Sequence, residues 1–168
     1  MNTSNKNPES ERLIRFQDCD PFGHLNNSKY IDYMINVRED HLVEEYDLNV
    51  FLMAHRDKRS WIVGQNEIAY LKPSQVMEKV IIQTRLIDFT ERYVQAEMVM
   101  YDAKKTHVKA VLWTKFFHFD FSLGKAVAHT EELMKMFGEL HIGLPTDRVE
   151  ERAKQLSKDI RKSEAICC

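Results

Sequence analysis

Between Asp18 and Asn27 the chain reads DCDPFGHLNN. Two carboxylates, a thiol, an imidazole and two carboxamides fall within this short stretch. One carboxylate beside free backbone amides is a minimal kit for attacking an acyl carbon. The amides polarise the carbonyl oxygen, and the carboxylate serves as nucleophile or as general base. Asp20 can do this if it lies at a helix N-terminus, where the first N–H groups are unpaired and carry about half a positive charge. The same residues also describe a turn. Asp-Pro starts turns, Gly23 permits positive φ, and Asn26 or Asn27 suits a helix N-cap. Turn chemistry leaves only Cys19, Phe22 and Leu25 without a place. Nothing but nearness in sequence links Cys19 to His24, so Cys19 reads as buried or inert.

The surrounding elements decide whether such a site can be held. Glu11 to Gln17 alternates and predicts a short strand leading into the motif. From Ser28 to about Tyr46, the residues Tyr30, Ile31, Tyr33, Met34, Ile35, Val37 and Leu42 form an apolar surface at helical spacing. It is wider than an ordinary amphipathic stripe, which predicts a helix covered on more than one side. Residues 47–59 form a connection with a helical turn around Val50 to Ala54. Strands then follow in series at 61–71, 78–89, 93–101 and 106–121, with links short enough for hairpins. In the third, Val94, Ala96, Met98 and Met100 alternate with Gln95, Glu97 and Val99. In the fourth, Val108, Ala110, Leu112, Thr114 and Phe116 share a face.

After a turn at 122–125, a short helix runs from Thr130 towards Gly138, a plausible residue just past its end. Glu131 and Glu132 in its first turn favour the helix dipole. A last helix spans Thr146 to Lys162, with Val149, Ala153, Leu156 and Ile160 forming a narrow stripe. That stripe can dock on a surface but is too thin to be core, and its docking partner is not evident from sequence. His107 and His118 read as surface or sheet-face residues. One strand, one long helix and a four-stranded antiparallel meander make an α+β arrangement in which the sheet curls around the helix.

Composition narrows the classes. The chain has 168 residues, 43% apolar and 30% charged, with a net charge of −2. That suits one globular domain and lacks the basic face of a nucleic-acid binder. Cys19, Cys167 and Cys168 form neither a disulfide framework nor a zinc pattern. Ala165 stands where a prenylated cysteine would be. Met1 to Glu11 has no apolar signal region, and no apolar run approaches the roughly eighteen residues a membrane span needs. The expectation is a cytoplasmic protein without membrane or nucleic-acid partners. A domain is expected over 11–135, with a flexible stretch at 1–10 and a helical extension at 136–168.

The run Asp18 to Asn27, followed by Tyr30 and by Arg38 on the helix, resembles the start of the hot-dog-fold acyl-CoA thioesterases of the 4-hydroxybenzoyl-CoA thioesterase family. That family opens with a strand, then Asp-x-Asp-x-x-Gly-His-x-Asn-Asn or a near variant, then a long helix with an early tyrosine. The order of elements matches from about Glu11 to Phe121. The resemblance implies hydrolysis of acyl-CoA to a carboxylic acid and coenzyme A, with Asp20 as the catalytic carboxylate. Asp20 would attack the thioester to give a transient anhydride, or activate water. The Asn27 backbone N–H would hold the carbonyl oxygen.

Gly23 would let the backbone approach the thioester, and His24 would be catalytic or hydrogen-bonding. Asn26 and Tyr30 would contact substrate, and Asp18 would order the loop. The resemblance implies no metal or organic cofactor. It implies a homodimer or homotetramer with coenzyme A at the subunit interface and an acyl tunnel beside the long helix. Met34, Met98, Met100 and Phe116 are candidates to line that tunnel, or are plain core.

The chain departs from the family at Ile35-Asn36-Val37-Arg38, where relatives often carry helix glutamates. A second carboxylate from the helix is therefore not expected to assist. Two other readings stay open: hydrolysis of acyl carrier protein thioesters, and a non-catalytic module that binds acyl-CoA. A dehydratase-type hot dog would need a helix-borne His or Asp partner that is not evident.

Overall fold

The computed structural model describes residues 5–166. Strand β1 (Glu9–Leu13) leads through one 3-10 turn (Phe16–Asp18) into helix α1 (Asn27–Tyr46). Helix α2 (Val50–Asp57) follows, then strands β2 (Arg59–Tyr70), β3 (Lys79–Phe89), β4 (Tyr93–Asp102) and β5 (Val108–Asp120). A short strand β6 (Lys125–Ala126) and helices α3 (Glu131–Leu140) and α4 (Val149–Ile166) complete the order. All pairings are antiparallel, in the order β1-β3-β4-β5-β2, with β6 on the end of β5.

The first strand starts and stops earlier than its alternation indicates, because Phe16 to Asp18 turn to begin the motif. The expected turn at Val50 is a full helix, since Asn49 Oδ1 accepts from the N–H groups of Phe51 and Leu52. In α3, Thr130 Oγ1 caps the N-terminus as the sequence indicates. Gly138, however, lies inside the helix, which runs to Leu140 because Leu140 packs with Leu133 and Phe137 against Leu86. The expected boundary at 135/136 falls within this helix.

Period-two alternation divides the long strands between two cores. Ala96, Met98 and Met100 of β4, with Ala110 and Leu112 of β5, face α1 and surround Tyr30, Met34 and Val37. The opposite set, Val99, Tyr101, Val111 and Trp113, packs under Val149 and Ala153 of α4. Val108 belongs to this second set, because a bulge opposite Met100 and Tyr101 shifts it across the sheet. Helix α4 therefore docks on its own sheet, and the narrow stripe is enough because the strands supply the rest of that core.

Helix α1 is covered less completely than its broad apolar surface indicates. Tyr30, Met34, Val37, Arg38 and His41 form the buried face, while Asp32, Asn36, Asp40 and Val43 are exposed. Two polar residues thus lie in the buried stripe. They are accommodated by Thr84 of β3, whose Oγ1 lies 2.8 Å from His41 Nδ1 and 3.4 Å from Arg38 Nη1. Ser10 Oγ lies 2.9 Å from His41 Nε2 and completes the string.

Burial and the neighbouring Arg38 and Arg12 push the His41 pKa down to about 4. Burial and His118 do the same to His129, also to about 4. His129 accepts from Trp61 Nε1 and donates through Nδ1 to the Thr90 carbonyl, so the neutral ring satisfies both partners. His118 lies on β5 and is buried too, stacked at 4.9 Å on His129, so of the two expected positions it takes the sheet face and not the surface.

The unfolded chain binds protons at these histidines near the ordinary value of 6.5, while the folded chain does so only near 4. Stability is therefore whole above pH 6.5 and falls as the pH drops towards 4, by up to roughly 3 kcal/mol per histidine. Urea unfolding at pH 7 and at pH 4.5 will show this loss, and His41→Gln will reduce it. An unfolding midpoint that does not move with pH would contradict the burial of neutral imidazoles.

Candidate active site

The motif folds as a turn held at both ends. Asp20 Oδ1 accepts from the N–H groups of Phe22 (2.9 Å) and His24 (3.0 Å), and the Asp20 N–H donates to the His24 carbonyl at 2.7 Å. Gly23 sits at φ 78°, in the left-handed region that favours glycine. The β2–β3 connection then zips onto the turn. Leu25 N–H donates to the Ser74 carbonyl, Val76 N–H donates to the Gly23 carbonyl, and Ser74 N–H donates to the Tyr30 hydroxyl. Local turn chemistry shapes the loop, and a segment some fifty residues on fixes its place.

Asn26 occupies the N-cap position of α1, but its side chain does not cap the helix. Its amide donates instead to the Asp18 carbonyl at 3.0 Å, and Asp18 Oδ2 accepts from Tyr33 Oη at 2.8 Å. No acidic residue lies in the first turn of α1. Among the described residues, no acceptor engages the Asn27 N–H, while the Asn27 carbonyl accepts from Tyr70 Oη at 2.8 Å. The capping expectation for the two asparagines is therefore corrected. Asn26 spends its side chain on the preceding loop, the Lys29 N–H donates to the Asn26 carbonyl, and the Asn27 N–H at the positive end of the helix stays free.

Asp20, His24, Asn26, Asn27 and Tyr70 line one groove, which continues past Leu71 and Lys72. It encloses about 910 Å³ of space that is broadly open to solvent. Tyr30 forms part of its floor and is buried, with its ring edge-on to Tyr70 at 5.3 Å. Asp20 Oδ2 has no hydrogen-bond partner among the described residues, so one oxygen holds the loop while the other stays available.

Cys19 is half-buried, its thiol donates to the Arg15 carbonyl, and burial with the nearby Asp18 and Asp20 pushes its pKa up. A thiol held protonated in this way is a poor nucleophile. Cys167 and Cys168 lie outside the described residues. No group of three or more His, Cys, Asp or Glu side chains is arranged to hold a metal ion among the described residues.

Tyr70, Lys72 and Pro73 join the groove although the motif carries no sign of them. The only sequence signal was the Lys72-Pro73-Ser74 break after a strand, which places a turn without saying what it touches. Met34, Met98 and Met100 are fully buried core, whereas Phe116 lines a separate apolar cavity between α1, the sheet and α3.

Comparison with known proteins agrees with this fold. The family model of the thioesterase-like superfamily matches residues 14–137. A 1,4-dihydroxy-2-naphthoyl-CoA thioesterase from Synechocystis superposes with a TM-score of 0.71 at 10% identity, over 79% of this chain and 96% of that one. The probable thioesterase YbaW from Escherichia coli gives 0.68 at 20% identity, over 79% and 97%. A hypothetical protein from Staphylococcus aureus, solved in complex with CoA, gives 0.71 at 8% identity, over 83% and 87%. A search of curated proteins finds no match. The match over most of the chain, together with the sheet curled around α1, makes this protein a hot-dog-fold member of the thioesterase-like superfamily.

Proposed function

We propose that this protein hydrolyses acyl-CoA thioesters to a carboxylic acid and coenzyme A, with Asp20 as the reacting carboxylate. One observation carries the reading: Asp20 and the unengaged Asn27 N–H line the same groove at the N-terminus of α1. The carbonyl oxygen takes the Asn27 N–H, where the helix dipole stabilises the charge that develops on it. Asp20 Oδ2 then either attacks the acyl carbon or takes a proton from an attacking water. Attack expels the CoA thiolate and leaves an acyl anhydride, which water opens to the acid. In both routes Oδ1 stays bound to the Phe22 and His24 N–H groups, so the carboxylate is already oriented. His24 contributes through its backbone to this turn, and Gly23 supplies the positive φ that the turn requires.

A coenzyme A substrate also fits the charges next to the groove. Leu71 and Lys72 continue into a second depression lined by His107 and by Arg161 of α4. These groups suit the phosphates of coenzyme A. Arg161→Glu is expected to raise KM for acyl-CoA by roughly tenfold, about 1.4 kcal/mol, with kcat unchanged. An unchanged KM would remove this depression from the site.

Strand β2 pairs only with β5, which leaves its other edge open among the described residues. Ile62 and Val63 on β2 and Phe51 and Leu52 on α2 are exposed beside it. An open edge flanked by apolar side chains is a template for pairing with another strand, and we assign it to a homodimer. Sedimentation at micromolar concentration should give at least twice the chain mass; the mass of one chain would refute this.

The activity itself is tested by free-thiol release from a panel of acyl-CoAs. Turnover that is metal-independent and tied to the acyl group is the expected result. Coenzyme A binding without any turnover would instead make the protein a binding module, and turnover confined to acyl carrier protein thioesters would change the substrate class.

A further inference from the structure

Lys109 lies on the inner strand β5 and is only 8% exposed. Both faces of that strand pack on apolar cores, where an ammonium group is costly unless it is paired. A bulge takes Lys109 out of both. It is the extra residue of β5, set between the pairs Tyr101–Val108 and Met100–Ala110. From there it engages the β2–β3 connection. Its carbonyl accepts from the N–H groups of Leu71 (2.9 Å) and Lys72 (3.2 Å). Its Nζ donates to the Pro73 carbonyl at 3.1 Å and pairs with Glu78 Oε1 at 2.7 Å. Glu78 Oε2 accepts in turn from the Gln75 N–H at 2.7 Å. One residue thus grips the 71–78 segment at both ends.

The motif turn rests on that segment. Leu25 N–H donates to the Ser74 carbonyl at 2.9 Å, and Val76 N–H to the Gly23 carbonyl at 2.8 Å. Gly23 and Leu25 flank His24, whose N–H holds Asp20 Oδ1. Leu71, Lys72 and Pro73 also form wall of the groove that contains Asp20, whereas Lys109 does not line it. A path of hydrogen bonds and short backbone links therefore runs from Lys109 to the reacting carboxylate. Mostly buried ion pairs contribute little net stability over apolar side chains of similar volume. What this one adds is a fixed place for the Pro73 carbonyl and the Gln75 N–H.

We propose that Lys109, acting with Glu78, is a positioning residue of the active site, setting the place of the Asp20 turn and of the groove wall beside it. Lys109 touches neither substrate nor reacting atoms. Its effect on turnover rests on the thioesterase reading, whereas its hold on the turn does not.

Amide hydrogen exchange on the full chain reads that hold directly. In Lys109→Met, the Leu25 and Val76 N–H groups should exchange about tenfold faster, while Met98 and Leu112 in the sheet keep their rates. Thiol release from acyl-CoA should lose roughly ten- to 100-fold in kcat, the scale expected when a reacting group is displaced by about 1 Å. Lys109→Arg can reach the same two acceptors and should recover most of both effects. Replacing Lys109 and Glu78 together with methionines should bring Tm back near wild type but restore neither the exchange rates nor kcat. In a merely structural role, activity would return with stability.

Unchanged exchange at Leu25 and Val76 in folded Lys109→Met would overturn the proposal. So would a double variant whose kcat recovers together with its Tm, or faster exchange with wild-type kcat. If Lys109→Met does not fold, Glu78→Gln gives up the ion pair while keeping an acceptor for Gln75. It should then speed exchange at Leu25 and Val76, and unchanged rates would again overturn the proposal. Absence of thioester turnover in the wild type, with the exchange response intact, would defeat the thioesterase reading and leave the hold of Lys109 on the turn standing.

Discussion

Asp20→Asn is expected to lower kcat for acyl-CoA hydrolysis by at least about 100-fold while leaving substrate binding nearly unchanged. Asparagine keeps an oxygen in the Oδ1 position, so it can still accept from the Phe22 and His24 N–H groups. The turn and the start of α1 should therefore survive, and loss of activity cannot be laid to loss of shape. What disappears is a carboxylate oxygen able to attack or to take a proton. Asp20→Ala should be worse in a second way, because two loop N–H groups then lose their acceptor and the groove loosens. Steady-state thiol release with thermal unfolding on the same samples separates the two effects. Wild-type kcat in a folded Asp20→Asn protein would end the assignment of Asp20.

The largest effect on stability should come from the far side of the sheet. Glu97 is fully buried beneath α4, where Arg152 grips it with Nε at 2.9 Å and Nη2 at 3.0 Å. Trp113 Nε1 donates to the same carboxylate at 2.9 Å. Arg85 Nε lies 3.3 Å away but makes no hydrogen bond, so it acts as a further counter-charge. Glu97→Ala leaves one buried and one nearly buried guanidinium and an indole N–H without their acceptor. The expected cost is about 3–5 kcal/mol, which for a chain of this size lowers Tm by roughly 10 °C.

Arg152→Met should cost less than Glu97→Ala, because Trp113 and Arg85 still face the carboxylate. A proteolytic cut before α4 should become faster in both variants, since the pair is where that helix is pinned. Replacing Glu97 and Arg152 together with leucines should recover part of the loss, because the geometry then buries no unmatched charge across that contact. A Glu97→Ala protein as stable as wild type would show that the ion pair only balances its own desolvation.

Much of the site was legible in ten residues because turn chemistry is local. Asp-Pro, Gly23 at positive φ and the polar run before an apolar helix are readable from neighbours within a few positions. Alternation placed the long strands to within a few residues, for the same reason. The role of Asn26 was not legible, since its side chain chose between capping the helix and bonding the Asp18 carbonyl. Both options were within reach, and only the assembled loop decided between them.

The kinds and order of elements, the family resemblance and the carboxylate at the start of the long helix can all be read along the chain. The tertiary structure alone decided what meets across long separations. Ser74 reaches Tyr30 from 44 residues away, Thr84 reaches Arg38 from 46, and Arg152 reaches Glu97 from 55. Periodicity reports which face of an element is apolar, and Arg38 and His41 sit where it calls for apolar side chains. Their burial depends on one hydroxyl arriving from β3. A partner of that kind leaves no trace in the local pattern, so the fold was written along the chain and the matching of buried polar groups was not.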